Sequence, residues 1–185
     1  MNSILNDFDK RVVSCRKCSR LVKYAAETKK YNKNNEFINE TYWCKPVPSF
    51  GSLDSNLLIV GLAPGKHGAG RTGRPFTGDF AGEILYKALY ETGLSNIENS
   101  ISKSDELKLK KVRISNAVRC APPQNKPSND EIINCRPFLI EEIRMMTKLK
   151  YVLALGSLAH KQILQCIGVT VSYTHLRAHE TRHDL

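Results

Sequence analysis

Residues 57–93, LLIVGLAPGKHGAGRTGRPFTGDFAGEILYKALYETG, predict a strand, a glycine-rich loop and a helix in succession. The apolar run Leu57–Val60 is typical of a short buried strand. The basic loop Gly61–Asp79 is rich in glycine, which allows a backbone to turn sharply or to approach a ligand closely. Apolar residues then recur with helical spacing at Ile84, Leu85, Ala88 and Leu89, and Gly93 follows as a C-terminal cap.

The same order of elements recurs twice further along the chain. Val112–Val118 and Tyr151–Gly156 are strand candidates, and each precedes a helix with a serine or asparagine at its N-terminal cap. This repetition predicts an α/β fold, a three-layer α/β/α sandwich with a central, mostly parallel sheet. Because ligands bind at the carboxyl ends of such strands, the loops that begin at Gly61, Asn116 and Gly156 should form one cleft. Residues 1–50 are expected to be irregular apart from a helix near Ile4–Arg16.

Length and charge limit the possible classes of function. The chain has 185 residues and a net charge of +10, which suits one domain with a polyanionic partner. A solvated basic surface would give the same charge. The sequence has neither an apolar run long enough for a membrane span nor a signal-peptide pattern, so a cytoplasmic monomer without membrane contact is expected.

The segment Val171–Leu185, VSYTHLRAHETRHDL, differs in style from the rest of the chain. Its back-translation up to Thr181 fits the transposase adapter used in shotgun sequencing libraries. A natural disordered tail is the alternative. We therefore expect residues 1–170 to form a domain that is incomplete at its C-terminus, and residues 171–185 to be non-native.

The cysteine spacing predicts a metal site. Cys15 and Cys18 form a C-x-x-C pair, and Cys120 and Cys135 flank a proline-rich loop far downstream. Four thiolates suit either zinc or an iron–sulfur cluster. Burial as plain apolar side chains is the alternative, and it is the preferred interpretation for Cys44 and Cys166.

The glycine-rich loop matches neither a dinucleotide fingerprint nor a P-loop. Its cations, Lys66, Arg71 and Arg74, are candidates for phosphate contacts, or they belong to a solvated basic loop. Phe76 can stack on a base or anchor the loop in the core. Asn116, at the end of a strand, can read a base edge or form a turn.

Together these motifs resemble iron–sulfur uracil-DNA glycosylases, most closely the family-5 subclass. The similarity spans residues 12–170 and includes CRKC, PVPSFG, GLAPGKHGAGRTGRPFTGD, NAVRCAPPQNKP and ALGSLAHK. It implies a DNA repair enzyme that flips uracil, or another deaminated base, out of DNA and hydrolyses its N-glycosidic bond. It also implies a structural 4Fe–4S cluster on Cys15, Cys18, Cys120 and Cys135.

The resemblance also assigns roles within the loops. The backbone at Gly61, Ala63, Pro64 and Gly65 lines the base pocket, Phe76 stacks on the base, and Asn116 reads its edge. Asp79 is the candidate for the catalytic carboxylate, with a helix N-cap as its alternative, and His67 is the second catalytic candidate. Contacts to the DNA backbone are expected from Lys66, Arg71, Arg74 and Lys126, with Arg119 close by.

One family motif is missing. A His-Pro-Ser segment should follow the third strand and helix, but none is present, so the 185-residue chain is expected to be less active than its parent. Two other functions stay open: a non-catalytic nucleic-acid-binding module with a four-cysteine metal site, and a small-molecule hydrolase. The basic charge and Phe76 weigh against the hydrolase.

Overall fold

Six α-helices and four strands make up the described part of the chain, residues 2–31 and 33–169 of this computed structural model. The helices are α1 (Asn2–Ser14), α2 (Ser19–Lys30), α3 (Ala69–Thr72), α4 (Phe80–Glu91), α5 (Asn129–Met145) and α6 (Ser157–Cys166). The strands are β1 (Phe50–Gly51), β2 (Leu57–Gly61), β3 (Val112–Asn116) and β4 (Tyr151–Ala154).

The sheet has the strand order β1-β3-β2-β4. The three longer strands are parallel, and only β1 pairs antiparallel, with β3. Gly61 and Asn116 are register partners at the carboxyl ends of the two central strands. The loops that follow these strands therefore begin side by side.

Alternation along β2 divides the core into two layers. Leu58 and Val60 pack with Leu139 of α5 and Ile163 of α6, whereas Ile59 packs on the opposite face with helix α4. Helices therefore cover both faces of the sheet, and the predicted α/β/α sandwich with a mostly parallel sheet is confirmed.

Helix α5 illustrates how local sequence sets an element boundary. Oγ of Ser128 accepts a hydrogen bond from the Glu131 amide, and the Glu131 carboxylate accepts one from the Ser128 amide. This reciprocal pair is a capping box, which fixes where the helix begins. Lys126 is exposed two residues before this cap.

The expectation of an irregular N-terminal region was wrong. Residues 19–30 form helix α2, whose composition is mostly polar and which buries Leu21 and Thr28. So few buried positions give a weak periodic signal. The predicted tail, residues 171–185, lies outside the described residues. Among residues 2–31 and 33–169, no helix combines the length and apolar content that a membrane span requires.

Candidate active site

A cleft of about 630 Å³ opens at the carboxyl ends of β2 and β3. Its walls come from the glycine-rich loop, the first turn of α4 and the loop after β3. Predicted site residues that line it are Ala63, Pro64, Gly65, Lys66, His67, Phe76, Asp79 and Asn116. Two of the three loops predicted to form one cleft, those after β2 and β3, thus line one concave surface, whereas Gly156 and Ser157 do not line it.

Gly61 explains how two of these side chains come together. A methyl group at Gly61 would lie 2.5 Å from Cζ of Phe76 and 2.7 Å from Oδ1 of Asn116. Both contacts are far shorter than van der Waals separation, so only glycine allows the phenyl ring and the carboxamide to approach this point. The end of β2 therefore lies directly against both side chains.

The backbone of Phe76 is held in an unfavourable conformation. Its φ of 52° lies in the left-handed region, which is strained for a bulky residue. Two contacts hold the turn in place. The Tyr86 hydroxyl donates to the Pro75 carbonyl at 2.8 Å, and Gly82 lets α4 pack against the Phe76 carbonyl, where a methyl group would lie 1.9 Å away. Such strain is common at ligand sites.

Asn116 carries a buried acceptor without a partner. Its side chain is 3% exposed, and Oδ1 makes no hydrogen bond within the described structure. An unsatisfied buried polar atom costs about 1–3 kcal/mol. Its position in the cleft wall makes this oxygen ready to accept an N–H group from a ligand.

Asp79 combines the two roles that the sequence left open. The helix-cap role is confirmed, because Oδ1 accepts a hydrogen bond from the Gly82 amide at 3.0 Å. The second oxygen, Oδ2, lies beside Gly65 and Gly68, where added methyl groups would sit 3.1 and 2.1 Å away. One carboxylate therefore begins α4 and also lines the cleft.

His67 lines the same cleft, and Tyr42 contacts its ring. Nδ1 lies 3.0 Å from the Tyr42 hydroxyl, and the two rings meet edge to face at 6.0 Å. Burial, followed by the charges of Lys66 and Arg71, lowers the pKa of His67 below its ordinary value. These surroundings therefore favour the neutral imidazole.

The predicted DNA-contacting cations differ in their surroundings. Lys66 lies in the cleft wall, with Nζ 5.7 Å from the centre of the Tyr24 ring, and Lys126 is exposed on the loop after β3. Neither lysine takes part in an ion pair within the described residues.

The arginines are used inside the protein. Arg71 pairs with Glu40, and its Nε donates to the His67 carbonyl at 2.7 Å. Arg74 is 4% exposed and pairs with Asp105. This placement does not support the predicted phosphate contacts, because each guanidinium is already neutralised by a carboxylate. Arg74 also braces the loop that bears Phe76.

Arg119 is likewise internal. It is 2% exposed and shares the buried carboxylate of Glu142 with Arg113, at 2.6 Å for each pair. Burial alone would raise the pKa of Glu142, but the charges of Arg119 and Arg113 outweigh it and lower that pKa to about 2. This ionic triad ties β3 and the following turn to α5.

The four predicted metal ligands converge. Cys15, Cys18, Cys120 and Cys135 line one cavity between the N-terminal helices and the start of α5. Burial and then the neighbouring thiols raise the pKa of Cys120 to about 12. The Arg119 amide donates to Sγ of Cys135 at 3.3 Å, a type of contact that also stabilises thiolates.

Four thiolates can bind either one zinc ion or an iron–sulfur cluster. Around a single zinc ion, thiolates bound at 2.3 Å would lie about 3.8 Å apart. No group of three or more Cys, His, Asp or Glu residues in the described ranges has a spacing that would hold one ion. In a 4Fe–4S cluster each thiolate binds a different iron. Plain apolar burial also fits, because three of the thiols pack against Leu21, Val118 and Ile132.

Sequence reasoning missed part of the cleft wall. Tyr24 comes from α2, a helix that was not predicted, and Gln124 and Asn125 come from the loop after β3. Both loop residues have a φ of 55°, a conformation that is uncommon outside glycine. The bracketing prolines of PPQNKP were the available signal for a constrained turn.

Comparison with known proteins agrees with this geometry. The model of the Uracil DNA glycosylase superfamily matches residues 48–183. A Type-5 uracil-DNA glycosylase of Pyrobaculum aerophilum is 41% identical over 167 residues, 90% of this chain and 72% of the relative. One of Thermus thermophilus is 40% identical over 176 residues, 95% of this chain and 77% of the relative. A Type-4 uracil-DNA glycosylase of Pyrobaculum aerophilum is 34% identical over 123 residues, 66% of this chain and 55% of the relative.

The fold and the cleft define an α/β protein whose pocket opens at the carboxyl ends of its central parallel strands. The chain belongs to the uracil-DNA glycosylase superfamily.

Proposed function

We propose that this chain removes uracil from DNA by hydrolysing the N-glycosidic bond of a flipped nucleotide. The observation that carries the proposal is that Oδ1 of Asn116 has no hydrogen-bond partner and lies beside the Phe76 ring. Both groups pack against Gly61, where any side chain would clash with them. Family membership and the Type-5 relatives support the same activity.

Recognition follows from the pocket's shape and polarity. A base is flat and apolar on its faces, which suits the ring of Phe76, and polar along its edge, which suits a carboxamide. The buried oxygen of Asn116 accepts the ring N–H of uracil and so gains the partner that it lacks. A base without an N–H at that place would leave the oxygen unsatisfied, which provides selectivity.

The reaction needs a group that tolerates positive charge on the sugar. As the glycosidic bond breaks, the sugar becomes cationic and the base becomes anionic. The free oxygen of Asp79 is our candidate for stabilising the sugar and orienting the attacking water. His67 lines the same cleft, and its lowered pKa favours the neutral ring, so it is suited to donating a hydrogen bond rather than to attracting phosphate by charge.

DNA binding rests on the net charge of +10 and on two lysines, one half-buried in the cleft wall and one exposed on the loop after β3. Lys66 and Lys126 are the candidates for contacts to backbone phosphates. Extrusion of a nucleotide costs a few kcal/mol and costs least for a mispaired base, such as uracil opposite guanine. Binding energy from phosphate contacts offsets this cost.

We also propose a 4Fe–4S cluster on Cys15, Cys18, Cys120 and Cys135. When bound, such a cluster would cross-link the N-terminal segment to the loop after β3, and its contribution would be structural. Cys120 lies four residues after Asn116, so the cysteine site lies at the base of the loop that completes the cleft. Zinc in the same site is the competing assignment.

The activity is tested by measuring free uracil released from a labelled duplex that contains one U·G pair. A duplex with thymine in place of uracil is the control substrate. We would assay the 185-residue chain beside a version whose residues 171–185 are replaced by the matching segment of the Thermus thermophilus relative. Release by the replaced version, with slower or no release by the original, is expected. Tight DNA binding without release from either would favour the non-catalytic module.

A further inference from the structure

Tyr42 is a buried residue whose hydroxyl points at a cleft side chain. It is 2% exposed and lies at the end of the polar segment before the sheet begins. Its oxygen lies 3.2 Å from the Asn34 amide nitrogen and 3.0 Å from Nδ1 of His67. Both neighbours are fixed, one by the backbone and the other by an edge-to-face ring contact.

The hydrogen bonds of the Tyr42 hydroxyl decide which nitrogen of the imidazole carries the proton. The Asn34 amide can only donate, so the Tyr42 oxygen accepts that bond. If Nδ1 also donated to Tyr42, the hydroxyl hydrogen would have no partner at a buried position, which is costly. The consistent arrangement has the Tyr42 hydroxyl donating to Nδ1. A neutral His67 then carries its proton on Nε2.

The other ring nitrogen is open. Nε2 of His67 has no hydrogen-bond partner among the described residues, and the ring lines the cleft. The charged groups around it are Lys66 beside it in the chain, Arg71 packed behind it, Lys33 over the Tyr42 ring and Asp79 across the loop. Arg71 is paired with Glu40, so this guanidinium does not compete for the ligand.

We propose that Tyr42 is a positioning residue that holds neutral His67 in the Nε2–H tautomer, so that the ring presents a hydrogen-bond donor to an acceptor oxygen of the bound nucleotide. This inference rests on the proposed function for the identity of the ligand. The tautomer itself rests only on the contacts of Tyr42.

The tautomer is measured without DNA. Long-range ¹H–¹⁵N correlation spectra distinguish a protonated from an unprotonated imidazole nitrogen, and His67→Gln identifies the signals of His67. We expect the proton on Nε2 in the unmodified chain and a mixture of both tautomers in Tyr42→Phe. Tyr31→Phe, which changes a 72% exposed ring, should leave the spectrum unchanged. A proton fixed on Nδ1 in the unmodified chain would overturn the inference.

Kinetics tests whether the tautomer is used. Under conditions where uracil is released, Tyr42→Phe should lower kcat about fivefold, as expected for one neutral hydrogen bond, and change KM little. In a His67→Gln background the same change should have no further effect, because a glutamine amide needs no tautomer to donate. An equal loss in both backgrounds would mean that Tyr42 serves packing only. Normal tautomers combined with no uracil release in any variant would remove the proposed function instead.

Discussion

The carboxylate of Asp79 lies against the backbone of Gly68, where a methyl group would sit 2.1 Å from Oδ2. The other oxygen, Oδ1, begins helix α4 by accepting from the Gly82 amide. The absence of a side chain at Gly68 therefore sets the position of the one acidic group in the glycine-rich loop. The Asp79 side chain is therefore both the cap of helix α4 and the candidate catalytic group.

These two roles of Asp79 separate by mutation. Asn is as good a helix cap as Asp, so Asp79→Asn should leave the free energy of unfolding nearly unchanged but slow uracil release about 100-fold or more. Asp79→Ala should slow release similarly and also cost about 1 kcal/mol of stability. Single-turnover assays and urea denaturation measure the two effects. Full activity in Asp79→Asn would reduce Asp79 to a cap.

The basic residues should divide into two classes. Lys66→Gln and Lys126→Gln should each reduce the slope of log affinity against log salt by about 0.9, because each removes one phosphate contact. Lys148→Gln is the matched control, since Lys148 pairs with Asp54 at the opposite edge of the sheet. Fluorescence anisotropy at several salt concentrations gives the slopes. An unchanged slope in both cleft variants would count against these contacts.

Arg74→Gln should behave differently from the lysine variants. It breaks a buried ion pair with Asp105 and should lower the free energy of unfolding by about 3 kcal/mol.

The different surroundings of the arginines and the lysines could not be predicted from the sequence. Arg71 and Arg74 stand in the same loop as Lys66, and nothing local shows that Glu40 and Asp105, each about thirty residues distant in the chain, neutralise the two arginines.

Other parts of the fold and site were predictable because their causes are local. A few consecutive residues are enough to indicate each of three elements: the strand at Leu57–Val60, the glycine-rich loop and the capped helix after it. Helix α2 was missed because its partners lie far away in sequence. For the same reason, Tyr24 of this helix was not predicted to line the cleft. The sequence also could not show that Oδ1 of Asn116 lacks a hydrogen-bond partner, because this depends on every residue that surrounds it in the folded chain.

The cysteine site makes a spectroscopic prediction. Protein purified without oxygen should contain iron and show a broad visible absorption band. Cys15→Ala should abolish the band and lower the yield, because the thiol lies in the shared cavity. Cys166→Ala is the control, since Cys166 packs against the separate core cluster below α6. Zinc without iron in elemental analysis would overturn the cluster assignment.

The buried triad predicts acid sensitivity. The pKa of Glu142 is lowered from 4.5 to about 2 in the folded chain, so its ionised form stabilises the fold above pH 4.5. That contribution, about 3 kcal/mol, should be lost as the pH falls from 4.5 to 2. Urea denaturation across this range measures it. A flat profile would show that Arg113 and Arg119 do not hold the carboxylate ionised.

Uracil recognition by this cleft is tested most sharply at Asn116. We would measure the single-turnover rate of uracil release from a U·G duplex at saturating enzyme, comparing the version with the replaced C-terminal segment with the same version carrying Asn116→Ala. The orphaned oxygen is removed without adding bulk beside Gly61. We expect uracil release to fall at least about 100-fold in Asn116→Ala, while affinity for undamaged duplex stays the same. Equal rates in the two proteins would contradict it.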